Sequence, residues 1–93
     1  MIMATIIKAN GMVMQTYPKN GKTFELEELQ GVVGGTIEIV HITPRQYMVV
    51  NDCGKLHGLS YNPVATAAYC KAADSFADFI VGDVLICDKN QIE

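Results

Sequence analysis

Between Val50 and Pro63 the chain gathers a thiol (Cys53), an ammonium (Lys55), an imidazole (His57) and two hydroxyls (Ser60, Tyr61). Asn51, Asp52 and Asn62 add carboxamide and carboxylate groups. The Cys53-x3-His57 spacing could serve a metal or a thiol nucleophile. A structural zinc site closes with four ligands, and His41 is the one other histidine in the chain, with no second Cys/His pair. A nucleophilic thiol needs an imidazole within hydrogen-bond reach and a third group to orient it, and only Asp52 is close in sequence. No catalytic residue and no metal ligand is therefore assigned, no cofactor is expected, and the chain is not expected to be an enzyme.

The same segment reads differently as a binding corner. Asn51-Asp52-Cys53-Gly54 has the residue order of a β-turn, and Asn62-Pro63 has that of an N-cap followed by a first-turn proline. A link from a strand end to a helix start sets side-chain donors beside free backbone N–H groups, which suits an anion. The candidate ligand- or partner-binding residues are Asn51, Lys55, His57, Ser60, Tyr61 and Asn62. The structural alternative is that Asn62 only caps the helix, His57 and Tyr61 pack over the sheet edge, and Lys55 is solvated.

The elements that would position this corner follow from periodicity. Residues 4–8 and 12–17 flank Asn10-Gly11, the dipeptide preferred in a type I′ turn, and predict a β-hairpin. Leu26, Leu29, Val32 and Val33 recur at helical spacing over 25–33, with Phe24 placed to staple onto Leu29. Glu25, Glu27 and Glu28 fall where the positive end of the helix dipole favours them, and Gly34-Gly35 supplies the stop. Residues 36–42 alternate, which places His41 on the core face with Ile37 and Ile39 as a half-buried histidine. Residues 46–50 are β-branched and aromatic, and the two stretches predict a second hairpin. The alanine-rich stretch 63–73 predicts a helix whose core face is Val64, Ala67, Ala68 and Cys70. Residues 79–81 and 84–87 bracket Gly82-Asp83 as a bent strand or tight hairpin, and 88–93 reads as a polar tail.

These elements give an α+β fold of order ββαββαβ, a single domain over 1–93 with a mostly antiparallel sheet of about four to five strands. Both helices are expected on one face, over one core of Ile6, Leu29, Ile37, Ile39, Val49, Ala67, Ile80 and Leu85.

Composition narrows the partners. At 93 residues the chain buries only about 60 to 65% of its unfolded surface. Charged residues are 18% and hydrophobic ones 49%, against roughly 25% charged in ordinary domains. A second copy in a symmetric dimer would cover part of the apolar surplus. The seven Lys and Arg residues lie singly and the net charge is −3, so no basic stripe exists to neutralise phosphates and no nucleic-acid partner is expected. Cys53, Cys70 and Cys87 are three widely spaced thiols that read as reduced, packed side chains. With neither a bilayer-length apolar run nor a signal-peptide pattern, the expected location is the cytoplasm, with no membrane partner.

Three blocks of wording are shared with a known family. They are Leu26 through Val40, Val50 through Leu59 with Asn62 following, and Ile80 through Ile86. In these the chain resembles the family called domain of unknown function 3846, found mainly in phages and other mobile elements of bacteria. Cys53 stands where that family usually has an acidic or polar turn residue. The resemblance implies an accessory protein acting in a bacterial host and carries no catalytic residues to transfer. Two functions are expected: non-enzymatic binding of a host protein, as in counter-defence, or capture of a small anionic metabolite or nucleotide signal at the corner around Lys55.

Overall fold

The computed structural model describes residues 3–73 and 78–92. Five strands form one antiparallel sheet: β1 (Ala4–Ile7), β2 (Val13–Thr16), β3 (Ile37–His41), β4 (Gln46–Asn51) and β5 (Val84–Asp88). Two helices accompany them, α1 (Leu26–Val33) and α2 (Pro63–Ala73), and a short 3-10 turn, Lys89–Gln91, follows β5. The strand order is β2-β1-β5-β4-β3, every pair antiparallel. The last strand in sequence thus fills the middle of the sheet. Its run Val84-Leu85-Ile86-Cys87 is apolar on both faces because both are covered, and Val84 and Leu85 are fully buried.

The helices take opposite faces rather than the one face the sequence suggested. Ala4, Val49, Leu85 and Cys87 pack with Phe24, Leu29 and Val33 of the α1 side. Ile7, Met48, Val50 and Val84 pack with Ala65 of α2 and with Ile80. The reason is the period of a strand: successive side chains alternate faces, and both sets on β4 and β5 are apolar. Of the expected single core, Ile6, Leu29, Ile37, Ile39, Val49 and Leu85 share the α1 face. Ile80 belongs to the other cluster and Ala67 is exposed. α2 is also rotated from its expected face. Ala65, Thr66 and Cys70 are its buried positions and Val64 is exposed. With alanine on every side of this helix, periodicity could not select a face; the anchoring of Asn62 and Thr66 does.

Local chemistry accounts for the joints. The first hairpin turns one residue earlier than a type I′ turn at Asn10-Gly11 would. The Gly11 N–H donates to the Lys8 carbonyl at 2.9 Å, which makes Ala9 and Asn10 the central pair. Gly11, at φ 94°, then occupies the left-handed position of a three-residue loop. The Asn10 Oδ1 accepts from the Met12 N–H at 2.9 Å. α1 begins at Glu25, whose N–H donates to the Glu28 carboxylate at 2.8 Å, and ends at Gly34, φ 80°. Phe24 and Leu29 share a cluster, as the staple requires. The C-terminal end is not a polar tail. Gln91 is buried, its carbonyl accepts from the Phe24 N–H at 2.7 Å, and Ile92 bridges Phe24. His41 lies exposed at the end of β3, stacked on the Tyr47 ring with centroids 4.6 Å apart. Its parity is that of Ile37 and Ile39, but α1 does not cover it.

The Glu28 carboxylate also accepts the Lys19 N–H at 2.9 Å, so it ties the loop after β2 to the helix start. The Glu25 amide first, then the Lys19 amide, hold its acid below the usual carboxylate range. A depressed folded pKa contributes stability that is present above the unfolded value and lost as pH falls through the folded one. Glu28→Gln is therefore expected to flatten the acidic limb of the stability–pH curve while leaving its alkaline limb unchanged. Equal acidic limbs for the two proteins in denaturant titrations would refute this coupling.

Candidate functional site

The corner is built from hydrogen-bonded turns. The Gly54 N–H donates to the Asn51 carbonyl at 3.3 Å, closing the expected β-turn. His57 to Cys53 at 3.0 Å, Gly58 to Lys55 at 3.3 Å and Leu59 to Gly54 at 3.0 Å continue it. A Cβ at Gly54 would stand 2.9 Å from the Val81 side chain, and one at Gly82, φ 76°, would stand 2.8 Å from Leu59. Those two glycines let the loop close onto the segment before β5. That segment pairs with the loop and not with β5: Tyr61 bridges Val81, with Asn62 N–H to the Ile80 carbonyl at 2.9 Å and Gly82 N–H to the Ser60 carbonyl at 2.7 Å.

Two of the candidate residues are held by the fold itself. Asn51 is 8% exposed; its Nδ2 donates to the Val33 carbonyl at 3.1 Å and its Oδ1 accepts the Cys53 N–H at 2.8 Å. It satisfies the end of α1 and starts the turn in one side chain. Asn62 is completely buried. Its Oδ1 accepts from Ala65 at 3.0 Å as a helix cap, while Nδ2 donates to the Ile7 carbonyl at 3.0 Å and the Gly82 carbonyl at 2.9 Å. One amide joins β1, α2 and the approach to β5.

Lys55 forms an ion pair with Asp78 and sets its ammonium 4.3 Å from the centre of the Phe79 ring. The Lys55 ammonium first, then the Phe79 amide, hold the Asp78 acid below the usual carboxylate range. His57 and Ser60 are exposed on the loop, and Tyr61, 54% exposed, tilts against Phe79 at 6.1 Å between ring centres.

On the α2 side of the sheet, an open cleft of about 400 Å³ lies between β3, β4, α2 and the loop. Its buried and half-buried lining is Ile39, Val40, Val50, Tyr69, Ile80 and Val81 with Asn51, Cys53 and Gly54 of the turn; its exposed rim is Glu38, Asp52, Lys55, Leu56, Asp78 and Phe79. Leu56 is 87% exposed. Of the candidate residues, Asn51 and Lys55 line this cleft; His57, Ser60, Tyr61 and Asn62 do not, although Tyr61 touches its rim through Phe79. Glu38, Val40, Tyr69, Asp78 and Phe79 could not be singled out in the sequence because they come from three separate segments. Leu56, an apolar residue isolated in a polar loop, was the available signal.

The arrangement offers an apolar floor with an acidic rim, three carboxylates against one ammonium that is already paired. The start of α2 offers little to an anion, since Pro63 has no N–H and Asn62 takes that of Ala65. Among the described residues no group of three or more His, Cys, Asp or Glu side chains is placed to hold a metal ion. No helix among them is long and apolar enough to cross a membrane. Cys70 and Cys87 are buried and Cys53 is half-buried, all free. Burial, and secondarily the Asp88 charge, push the Cys87 thiol up to about 11. A thiol reagent near neutral pH is therefore expected to modify Cys53 in the folded chain and all three cysteines only after unfolding. Rapid modification of Cys87 in the native protein would contradict the packing described.

The architecture is thus that of a small α+β domain: an antiparallel sheet covered by one helix on each face, with a cleft beside the second. Over residues 4–93 the chain matches the family described as Domain of unknown function (DUF3846), and it belongs to that family. No curated protein and no solved structure matches it.

Proposed function

We propose that the chain is a non-enzymatic binding protein whose cleft receives an apolar side chain of another protein. In the phage setting that the family resemblance implies, that partner is a host protein and the role is that of an accessory or counter-defence factor. The observation that carries the reading is the exposure of Leu56 and Phe79 on the rim of an apolar floor. Large apolar side chains held out beside such a floor are the usual anchors of a protein interface. The charge balance of the rim favours a partner segment that carries lysine or arginine next to its apolar anchor. It disfavours the other reading, capture of a small anion, because the carboxylates of Glu38, Asp52 and Asp78 outnumber the one ammonium at the cleft.

Affinity capture from a bacterial host with paired baits tests this. Leu56→Asp with Phe79→Ser is expected to leave the folded spectrum and melting temperature nearly unchanged, since both side chains are exposed, and to lose the partner the native bait retains. Retention of the same partner by the double variant would remove the cleft from consideration.

A further inference from the structure

β2 is one of the two edge strands of the sheet, β3 being the other, and among the described residues it pairs only with β1. Sheet edges are normally blunted by a charge or a proline, yet from Met12 to Tyr17 the chain has neither. Met12, Val13, Met14 and Tyr17 are 52%, 55%, 42% and 51% exposed. α1 packs mainly over β3, β4 and β5, and among the described residues no strand pairs with the outer side of β2.

The backbone register defines what can pair there. Lys8 donates to the Met12 carbonyl at 2.8 Å, and antiparallel pairs alternate between bonded and non-bonded positions. Met14 and Thr16, and Met12 through its carbonyl alone, therefore turn their backbone groups to β1, while Val13, Gln15 and Tyr17 turn theirs outward. This pattern is self-complementary. About a two-fold axis at Gln15, Gln15 of one copy meets Gln15 of the next, and Val13 meets Tyr17, so every outward N–H and C=O finds a partner.

Charge does not oppose the same axis. A groove of about 510 Å³ beside the strand is lined by Lys8 and Asp83 toward the hairpin turn and by Lys19, Glu27 and Glu28 toward the other end. Lys8 flanks the hairpin turn; Glu27 lies in the first turn of α1, next to the loop by which β2 leaves the sheet. The hairpin separates these ends by roughly 13 Å at 3.3 Å per residue. Neither residue is in an ion pair among the described residues, where the one such pair is Lys55–Asp78. An antiparallel second copy brings the Lys8–Asp83 end of each chain beside the Lys19–Glu27–Glu28 end of the other, so neither junction gathers charges of one sign alone.

We propose that the chain forms a two-fold dimer by antiparallel pairing of β2 with β2 of a second copy, joining two five-stranded sheets into one. This interface is separate from the cleft and does not depend on its function. Sedimentation equilibrium over the micromolar range is the test, on the native chain, Gln15→Pro and Val13→Lys. The Gln15 N–H is not used by β1, so proline there spares the hairpin ladder and blocks only the outer edge. Val13→Lys leaves the backbone intact and places beside Tyr17 of the second copy an edge charge of the kind that blunts strand pairing. The native chain is expected to sediment at the mass of two chains, and both variants, with folded circular dichroism spectra, at the mass of one. A native chain that stays at one-chain mass throughout, or a two-chain mass that survives in the folded variants, would overturn the dimer. Should Gln15→Pro not fold, Val13→Lys decides the same question.

Discussion

Asn62→Ala is expected to lower the unfolding free energy by about 3 to 5 kcal/mol, well beyond the cost of a missing helix cap. The cap alone is worth about 1 kcal/mol. The same substitution strips a donor from the carbonyls of Ile7 and Gly82, and leaving buried polar groups unsatisfied costs about 1 to 3 kcal/mol each. Asn62→Asp separates the contributions, because it keeps the oxygen that accepts from Ala65 and removes the Nδ2 donor. Urea titration of both variants provides the check. A loss near 1 kcal/mol for alanine would mean that Asn62 caps α2 and bridges nothing.

Leu85→Ala comes next in size, at about 2 to 5 kcal/mol, the range for deleting a buried leucine side chain where the surroundings cannot collapse. Leu85 is fully buried in the central strand, on the face that packs Leu29 and Val33, with β1 on one side and β4 on the other. Ile39→Ala, on half-buried edge strand β3, is expected to cost less than Leu29→Ala or Leu85→Ala. Denaturant midpoints for the three rank them, and a loss at Ile39 equal to that at Leu85 would place the centre of the core elsewhere.

Much of the architecture was legible because several of its signals are local. Asn10-Gly11, Gly34 and Asn62-Pro63 mark a turn, a helix stop and a helix start whose chemistry involves residues within a few positions. Alternation over 36–42 and the apolar run 84–87 marked strands for the same reason. The face each helix covers was not legible, since β4 and β5 are apolar on both sides and α2 carries alanine around its circumference. Which face wins is decided by contacts distant in sequence, such as Thr66 with Ile80, whose N–H donates to the threonine oxygen at 2.9 Å. The folded C-terminal end was missed likewise, because polar Gln91 is buried through its backbone bond to Phe24.

The candidate site divides along the same line. Asn51 and Asn62 stood out as polar residues at element boundaries, and the boundaries themselves use them. Asp78 and Phe79, which hold Lys55 in place, lie 23 and 24 positions further along the chain and share no motif with it. The part of the segment that faces a cleft depends on the pairing of Tyr61 with Val81, a contact no local pattern announces.

Native mass spectrometry of the protein expressed in a bacterial host tests the central claim, that the cleft binds a protein, most directly, because it reports bound compounds and bound chains together. The cleft reading predicts a complex with a partner polypeptide that disappears in the Leu56→Asp, Phe79→Ser variant, and no retained small anion. A low-mass anionic compound carried by the native chain, or a partner held equally by the variant, would contradict it.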